Sequence, residues 1–231
     1  MMKLFMSFVV LFSLILVSCS DTDKKNDSTI EKVDNSSEVD TIGRSKTIVF
    51  FGNSLTAGYG LDQSESFPTL IQRKLDSLNM NYKVVNAGLS GETTAGGNTR
   101  IDWILQQPLD IFILELGAND GLRGIPIDET RKNLQSIIDK VKNQYPDVVI
   151  LLAGMQVPPN MGQAYSREFR NLFSELARKN NIDLIPFLLE GVGGESRLNQ
   201  PDGIHPTAEG HKLLARTVWS VLEKRLLKTT D

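Results

Sequence analysis

Four short, nearly continuous apolar runs recur along the chain, at Thr47 to Phe51, Tyr82 to Val85, Ile111 to Leu116 and Val148 to Ala153, each separated by a longer polar-patterned segment. A strand with one wet face alternates apolar and polar residues, so continuous runs of this length predict strands buried on both faces. Asp183 to Pro186 forms a weaker fifth run. The intervening segments carry helical periodicity, as at Leu134, Ile137, Ile138 and Val141, at Phe169, Leu172, Phe173, Leu176 and Ala177, and after Pro206 at Leu214, Val218, Val221 and Leu222. Ser66 followed by Phe67-Pro68 predicts a further helix start, because proline loses least where a helix N–H has no partner. Strands alternating with helices imply right-handed crossovers and a parallel sheet covered on both faces. The expected fold class is α/β, a three-layer α/β/α sandwich on a five-stranded parallel sheet, within one domain from 47 to 231.

The N-terminal end has to be set apart from that domain. Lys3 precedes an apolar run from Leu4 to Val17, and Leu16-Val17-Ser18 stands directly before Cys19, the only cysteine. The run falls short of the roughly 20 residues a membrane span needs and matches a signal peptide over 1–18. The Leu-Val-Ser-Cys stretch resembles the lipobox of bacterial lipoproteins, which implies acylation of Cys19 and a membrane anchor at the periplasm or cell surface. Ser20 to Lys46 is rich in Asp, Lys, Asn and Ser and cannot bury enough apolar surface to fold alone, so 19–46 is expected to be a flexible tether. A single cysteine excludes an internal disulfide and any multi-cysteine metal site. Removing residues 1–18 takes away one lysine and leaves 24 basic against 28 acidic residues, a net charge of −4 that argues against nucleic acid as a partner.

In open parallel sheets ligands bind outside the carboxyl ends of the strands, so the loops there are the ones to read. They hold Gly52-Asn53-Ser54-Leu55, Asn86-Ala87-Gly88, Gly117-Ala118-Asn119-Asp120 and, before the last helix, Asp202-Gly203-Ile204-His205-Pro206. A serine hydroxyl needs a base to act as nucleophile at neutral pH, and the two histidines are His205 and His211. His205 is favoured, because Asp202 lies three residues before it in a glycine-containing turn and can hold one ring nitrogen while the other faces Ser54. His211 reads as a solvated helix residue. The Ser54 amide, the Gly88 amide and the Asn119 side chain are the expected oxyanion donors. Taken singly, each of these residues has a plain structural reading as a cap or a turn former. Together at one sheet edge they read as a site. Metal-assisted hydrolysis would need three or more ligands, which two histidines and no usable cysteine cannot supply without carboxylates. The glycines of Gly58-Tyr-Gly60 and Gly191-Val-Gly-Gly194 fit neither a dinucleotide fingerprint nor a phosphate loop and read as turns.

These blocks resemble those of the SGNH, or GDSL-type, hydrolase family. Phe51-Gly-Asn-Ser-Leu-Thr-Ala-Gly-Tyr59, Asn86-Ala-Gly-Leu-Ser-Gly-Glu-Thr-Thr94, Leu114-Glu-Leu-Gly-Ala-Asn-Asp-Gly-Leu-Arg-Gly124 and Asp202-Gly-Ile-His-Pro206 follow the family's order across the whole expected domain. The third block and Ile185-Pro-Phe-Leu-Leu-Glu190 are most similar to the bacterial thioesterase/lysophospholipase/arylesterase branch. The resemblance implies a flavodoxin-like fold and hydrolysis of carboxylic esters or thioesters, such as aryl esters, acyl thioesters and lysophospholipids. It also implies an acyl-enzyme on Ser54, no cofactor and a small acyl-ester or lipid substrate. The sequence does not fix the oligomeric state, and a monomer is the expectation. Leu122, Ile125, Val157 and Pro158 are candidates for an acyl-binding surface. Two other readings share the same residues: a carbohydrate O-acetyl esterase, and a non-catalytic lipid- or glycan-binding lipoprotein. The chain departs from the family in having Asn53 where aspartate is most frequent, a position expected to hold the loop through hydrogen bonds that asparagine also makes. Thr56 breaks the Gly-x-Ser-x-Gly elbow, which disfavours the α/β-hydrolase fold.

Overall fold

The computed structural model describes residues 44–227. The expected signal peptide, Cys19 and nearly all of the expected tether lie outside the described residues. The chain runs through β1 (Lys46–Gly52), α1 (Ser54–Ala57), α2 (Phe67–Ser77), β2 (Tyr82–Gly88), α3 (Thr94–Ile104), β3 (Ile111–Glu115), α4 (Ala118–Leu122), α5 (Ile127–Gln144), β4 (Val149–Ala153), α6 (Gln163–Asn180), β5 (Asp183–Ile185) and α7 (Ala208–Leu226). The sheet is five-stranded and parallel throughout, in the order β2-β1-β3-β4-β5. That is the flavodoxin-like order, with its switch point between β1 and β3.

Why the apolar runs are continuous is visible at β1. Phe50 and Phe51 point to opposite faces, and both are fully buried. The Phe50 ring meets Phe67 of α2 edge-on at 5.5 Å, whereas Phe51 stacks on Phe112 at 5.7 Å on the other face. α2 and α7 pack together, as do α3 with α5 and α5 with α6, giving the helical layers on the two sides of the sheet. Both faces of β1, β3 and β4 are therefore core, and no polar alternation survives in them.

Two differences from the sequence reading stand out. β1 begins at Lys46, one residue ahead of the expected boundary, and the Thr47 amide donates to Asp110 Oδ2 at 2.7 Å, tying the strand's start to the residue before β3. Helix α3 has no apolar stripe and carries Gly96 and Gly97 in its interior, so periodicity does not reveal it. It forms because Thr93 caps it and because Ile101 and Ile104 are buried against the sheet. No described helix is long and apolar enough to cross a membrane.

Candidate active site

The loop after β1 enters α1 through Asn53, whose Oδ1 accepts the Leu55 amide at 2.9 Å as an N-cap. Ser54 follows in the first turn, where a helix N–H has no intrahelical acceptor, and only 8% of it is exposed. Its Oγ lies 2.9 Å from His205 Nε2, across 151 residues of sequence. His205 Nδ1 lies 2.7 Å from Asp202 Oδ2, and Asp202 Oδ1 accepts the Ile204 and His205 amides at 3.0 Å each. A carboxylate is acceptor-only, which puts the imidazole proton on Nδ1 and the Nε2 lone pair toward Ser54. Hydrogen bonds from the His205 ring and then from the two backbone amides hold the Asp202 carboxyl down at about 2. The Tyr59 ring lies against the imidazole at 4.5 Å. Gln200 braces the two loops: its Nε2 donates to the Tyr59 and Pro206 carbonyls, at 2.7 and 3.0 Å, and its amide to the His205 carbonyl at 2.7 Å.

Beneath the serine loop lies a carboxylate that the sequence reading does not single out. Glu115, at the end of β3, is 1% exposed and receives the Asn53 amide, the Asn53 side chain, the Thr56 amide and the Thr56 hydroxyl. Burial pushes its carboxyl up to about 7, against the pull of those hydrogen bonds. A lone Glu in an otherwise apolar run, directly before the Gly117 loop, is the signal that could have marked it.

On the opposite side Asn119 of α4 donates from Nδ2 to the Glu92 carbonyl at 2.9 Å, and among the described residues its second amide hydrogen has no acceptor. Glu92 is itself held by Arg100 through contacts of 2.8 and 2.6 Å, and Arg100 also reaches the Ala87 carbonyl at 2.9 Å. Asp120 is structural. It caps α3 by accepting the Thr94 amide at 2.9 Å and the Thr94 hydroxyl at 2.5 Å.

Gly88 does not take the place expected for it. The β2 ladder runs through Gly88, opposite Gly52, and its amide donates to Asn86 Oδ1 at 3.0 Å, so it is committed away from the serine. Its missing side chain serves packing instead, since a Cβ there would lie 2.2 Å from the Ala57 nitrogen. Three residues on, Gly91 does line the serine's cavity, with φ +80°, and its amide makes no hydrogen bond with the described residues. His211 also departs from expectation. It is 1% exposed, accepts the Phe67 amide on Nδ1 at 3.1 Å and stacks on the Phe67 ring, so it is a core residue of α7 and not a solvated one.

Ser54, Asn119 and His205 open onto a cavity of about 540 Å³ whose walls are mostly apolar, with Leu122, Val157, Pro158, Phe187, Leu189 and Ile204 among them. Ile125 does not line it. A smaller cavity of about 250 Å³ lies at the opposite, amino edge of the sheet. Among the described residues no three His, Cys, Asp or Glu side chains gather as a metal site.

A parallel sheet of this order, with a serine, a carboxamide and an Asp-paired histidine at its switch point, defines a carboxylic ester hydrolase of the SGNH type. The chain belongs to the GDSL-like Lipase/Acylhydrolase family, whose model matches residues 50–213. It is 37% identical over 182 residues to esterase TesA of Pseudomonas aeruginosa, covering 78% of this chain and 90% of that one. It is 36% identical over 172 residues to thioesterase 1/protease 1/lysophospholipase L1 of Escherichia coli K12, covering 73% and 79%. Among solved structures it is similar to the psychrotrophic esterase EstA of Pseudoalteromonas sp. inhibited by monoethylphosphonate, with a TM-score of 0.73 and 34% identity over 78% of this chain and 98% of that one.

Proposed function

We propose that the protein hydrolyses acyl esters and thioesters, including aryl esters, acyl thioesters and lysophospholipids, through an acyl-enzyme on Ser54. Ser54 Oγ attacks the carbonyl carbon as His205 Nε2 takes its proton, and Asp202 steadies the imidazolium that results. The carbonyl oxygen becomes an oxyanion that the Ser54 amide, the Gly91 amide and the Asn119 side chain receive as donors. His205 returns the proton to the departing alcohol or thiol, and water then releases the acid by the same path. The observation that carries this reading is the Ser54–His205–Asp202 relay, with contacts of 2.9 and 2.7 Å, at the mouth of a largely apolar cavity. The inhibition of the related EstA by a phosphonate supports it.

Ser54→Ala is expected to lower turnover of an aryl ester by about 10⁴- to 10⁶-fold and to abolish labelling by a fluorophosphonate probe. Undiminished hydrolysis by that variant would sink the proposal. Absence of labelling in the wild-type protein would favour a non-catalytic binding role. The N-terminal segment supports an exported protein, cleaved after Ser18 and anchored through a lipid on Cys19.

A further inference from the structure

Glu115 takes no part in the chemistry proposed above, yet it holds the nucleophile's loop from below. Its Oε2 accepts the Asn53 amide at 3.1 Å, the Thr56 amide at 3.2 Å and the Thr56 hydroxyl at 2.8 Å, and its Oε1 accepts Asn53 Nδ2 at 2.7 Å. Among the described residues no cation pairs with it. A buried charge without a counter-ion persists only if hydrogen bonds replace its hydration. Here all four donors come from the two residues that bracket Ser54-Leu55. The carboxylate also settles which way the Asn53 carboxamide faces, with Nδ2 toward Glu115 and Oδ1 toward the Leu55 amide. Turned over, that amide would set oxygen against oxygen below and N–H against N–H above. Ser54 lies between the two clamped residues, and a displacement of about 1 Å between reacting groups can cost roughly 10²-fold in rate.

We propose that Glu115 and Asn53 form a buried carboxylate–carboxamide clamp that positions Ser54 for attack. The inference rests on Ser54 as nucleophile, and it makes Glu115 a positioning residue that acts only through the loop. It also states which pairings work. Glu115→Gln alone sets two NH₂ groups face to face across the clamp. Joined to Asn53→Asp, the same change restores every bond. The introduced carboxamide then donates to the introduced carboxylate, while its oxygen still receives the backbone amide of position 53 and both donors of Thr56.

The test uses the full-length chain at about pH 8 and compares wild type, Glu115→Gln, the double variant N53D/E115Q, and Thr56→Val. Turnover and KM for a p-nitrophenyl ester are measured alongside the rate of fluorophosphonate labelling at Ser54. Glu115→Gln is expected to lower kcat about 10- to 100-fold with KM changed less than about threefold, and to slow labelling in parallel. The double variant is expected to return to within about fivefold of wild type. Thr56→Val, which removes one donor and leaves the carboxylate in place, is expected to lose about two- to tenfold in kcat, and it carries the reading should Glu115→Gln fail to fold. The clamp is overturned if Glu115→Gln keeps wild-type kcat, if its loss lies in KM alone, if the double variant is no better than the single one, or if Thr56→Val is indistinguishable from wild type. A wild-type chain that does not label removes the Ser54 reading and the clamp together. A wild type that labels beside indifferent variants removes only the clamp.

Discussion

Among single residues, Glu115 and His211 ionise in opposing senses. Burial keeps His211 neutral and lowers its pKa from 6.5 to about 4. Between those values the unfolded chain binds a proton that the native one does not, so this residue stabilises the fold increasingly as pH rises from about 4 to 6.5. Burial raises Glu115 from 4.5 to about 7. There the native chain binds the extra proton, so its contribution falls as pH rises across that range. The two nearly cancel between about 4.5 and 6.5. Glu115→Gln removes one of them, and its unfolding free energy is expected to rise by about 2 kcal/mol from pH 4.5 to 6.5 while that of wild type changes little. Urea unfolding at a series of pH values measures this, and parallel curves for the two proteins would refute it. Neither residue's role was legible in the sequence. As candidates, Ser54 and Asn119 stand out by lying after strands and His205 by the aspartate three residues before it, whereas burial and hydrogen-bond partners from distant segments decide what Glu115 and His211 do.

Among the elements, it is the loops that build the cavity. α1 and the turn after it bring Leu55 and Tyr59, α4 brings Leu122, the segment after β4 brings Val157 and Pro158, and the segment after β5 brings Phe187 and Leu189. Exposed apolar side chains, Tyr59, Leu122 and Ile204, stand at its mouth at 51%, 42% and 44% exposure. A wall of this composition has little to offer a sugar and much to offer an alkyl chain. Each methylene moved from water into it is worth about 0.8 kcal/mol, or roughly fourfold in kcat/KM. kcat/KM is therefore expected to climb from acetyl through butyryl to octanoyl esters before levelling off. A panel of p-nitrophenyl esters with an acetylated xylan beside it measures the trend, and preference for acetyl groups, above all on the sugar, would shift the assignment to a carbohydrate esterase. Leu122, Val157 and Pro158 were visible as apolar loop residues, but Ile125 looked equally eligible. Its carbonyl receives the Tyr165 hydroxyl at 2.9 Å, and the residue stays out of the cavity.

Across the domain, the order β2-β1-β3-β4-β5 puts the serine and carboxamide loops on neighbouring strands, on the edge opposite the start of β1. β1 thus starts at one edge of the sheet and the cavity opens at the other. If Cys19 is acylated, Cys19→Ala is expected to lose incorporation of an alkynyl palmitate and to leave the membrane fraction while keeping esterase activity. Unchanged membrane association in that variant would refute the anchor. The layers and the parallel sheet could be read from the order of residues, because strands buried on both faces must be apolar throughout. Folding in three dimensions was needed to show that Gly91, and not Gly88, lines the cavity, that His211 is core, and that Asn53 faces a buried Glu115. Those outcomes depend on where β2 stops pairing and on which donors meet across the 62 residues between Asn53 and Glu115, distances in space that no local pattern encodes.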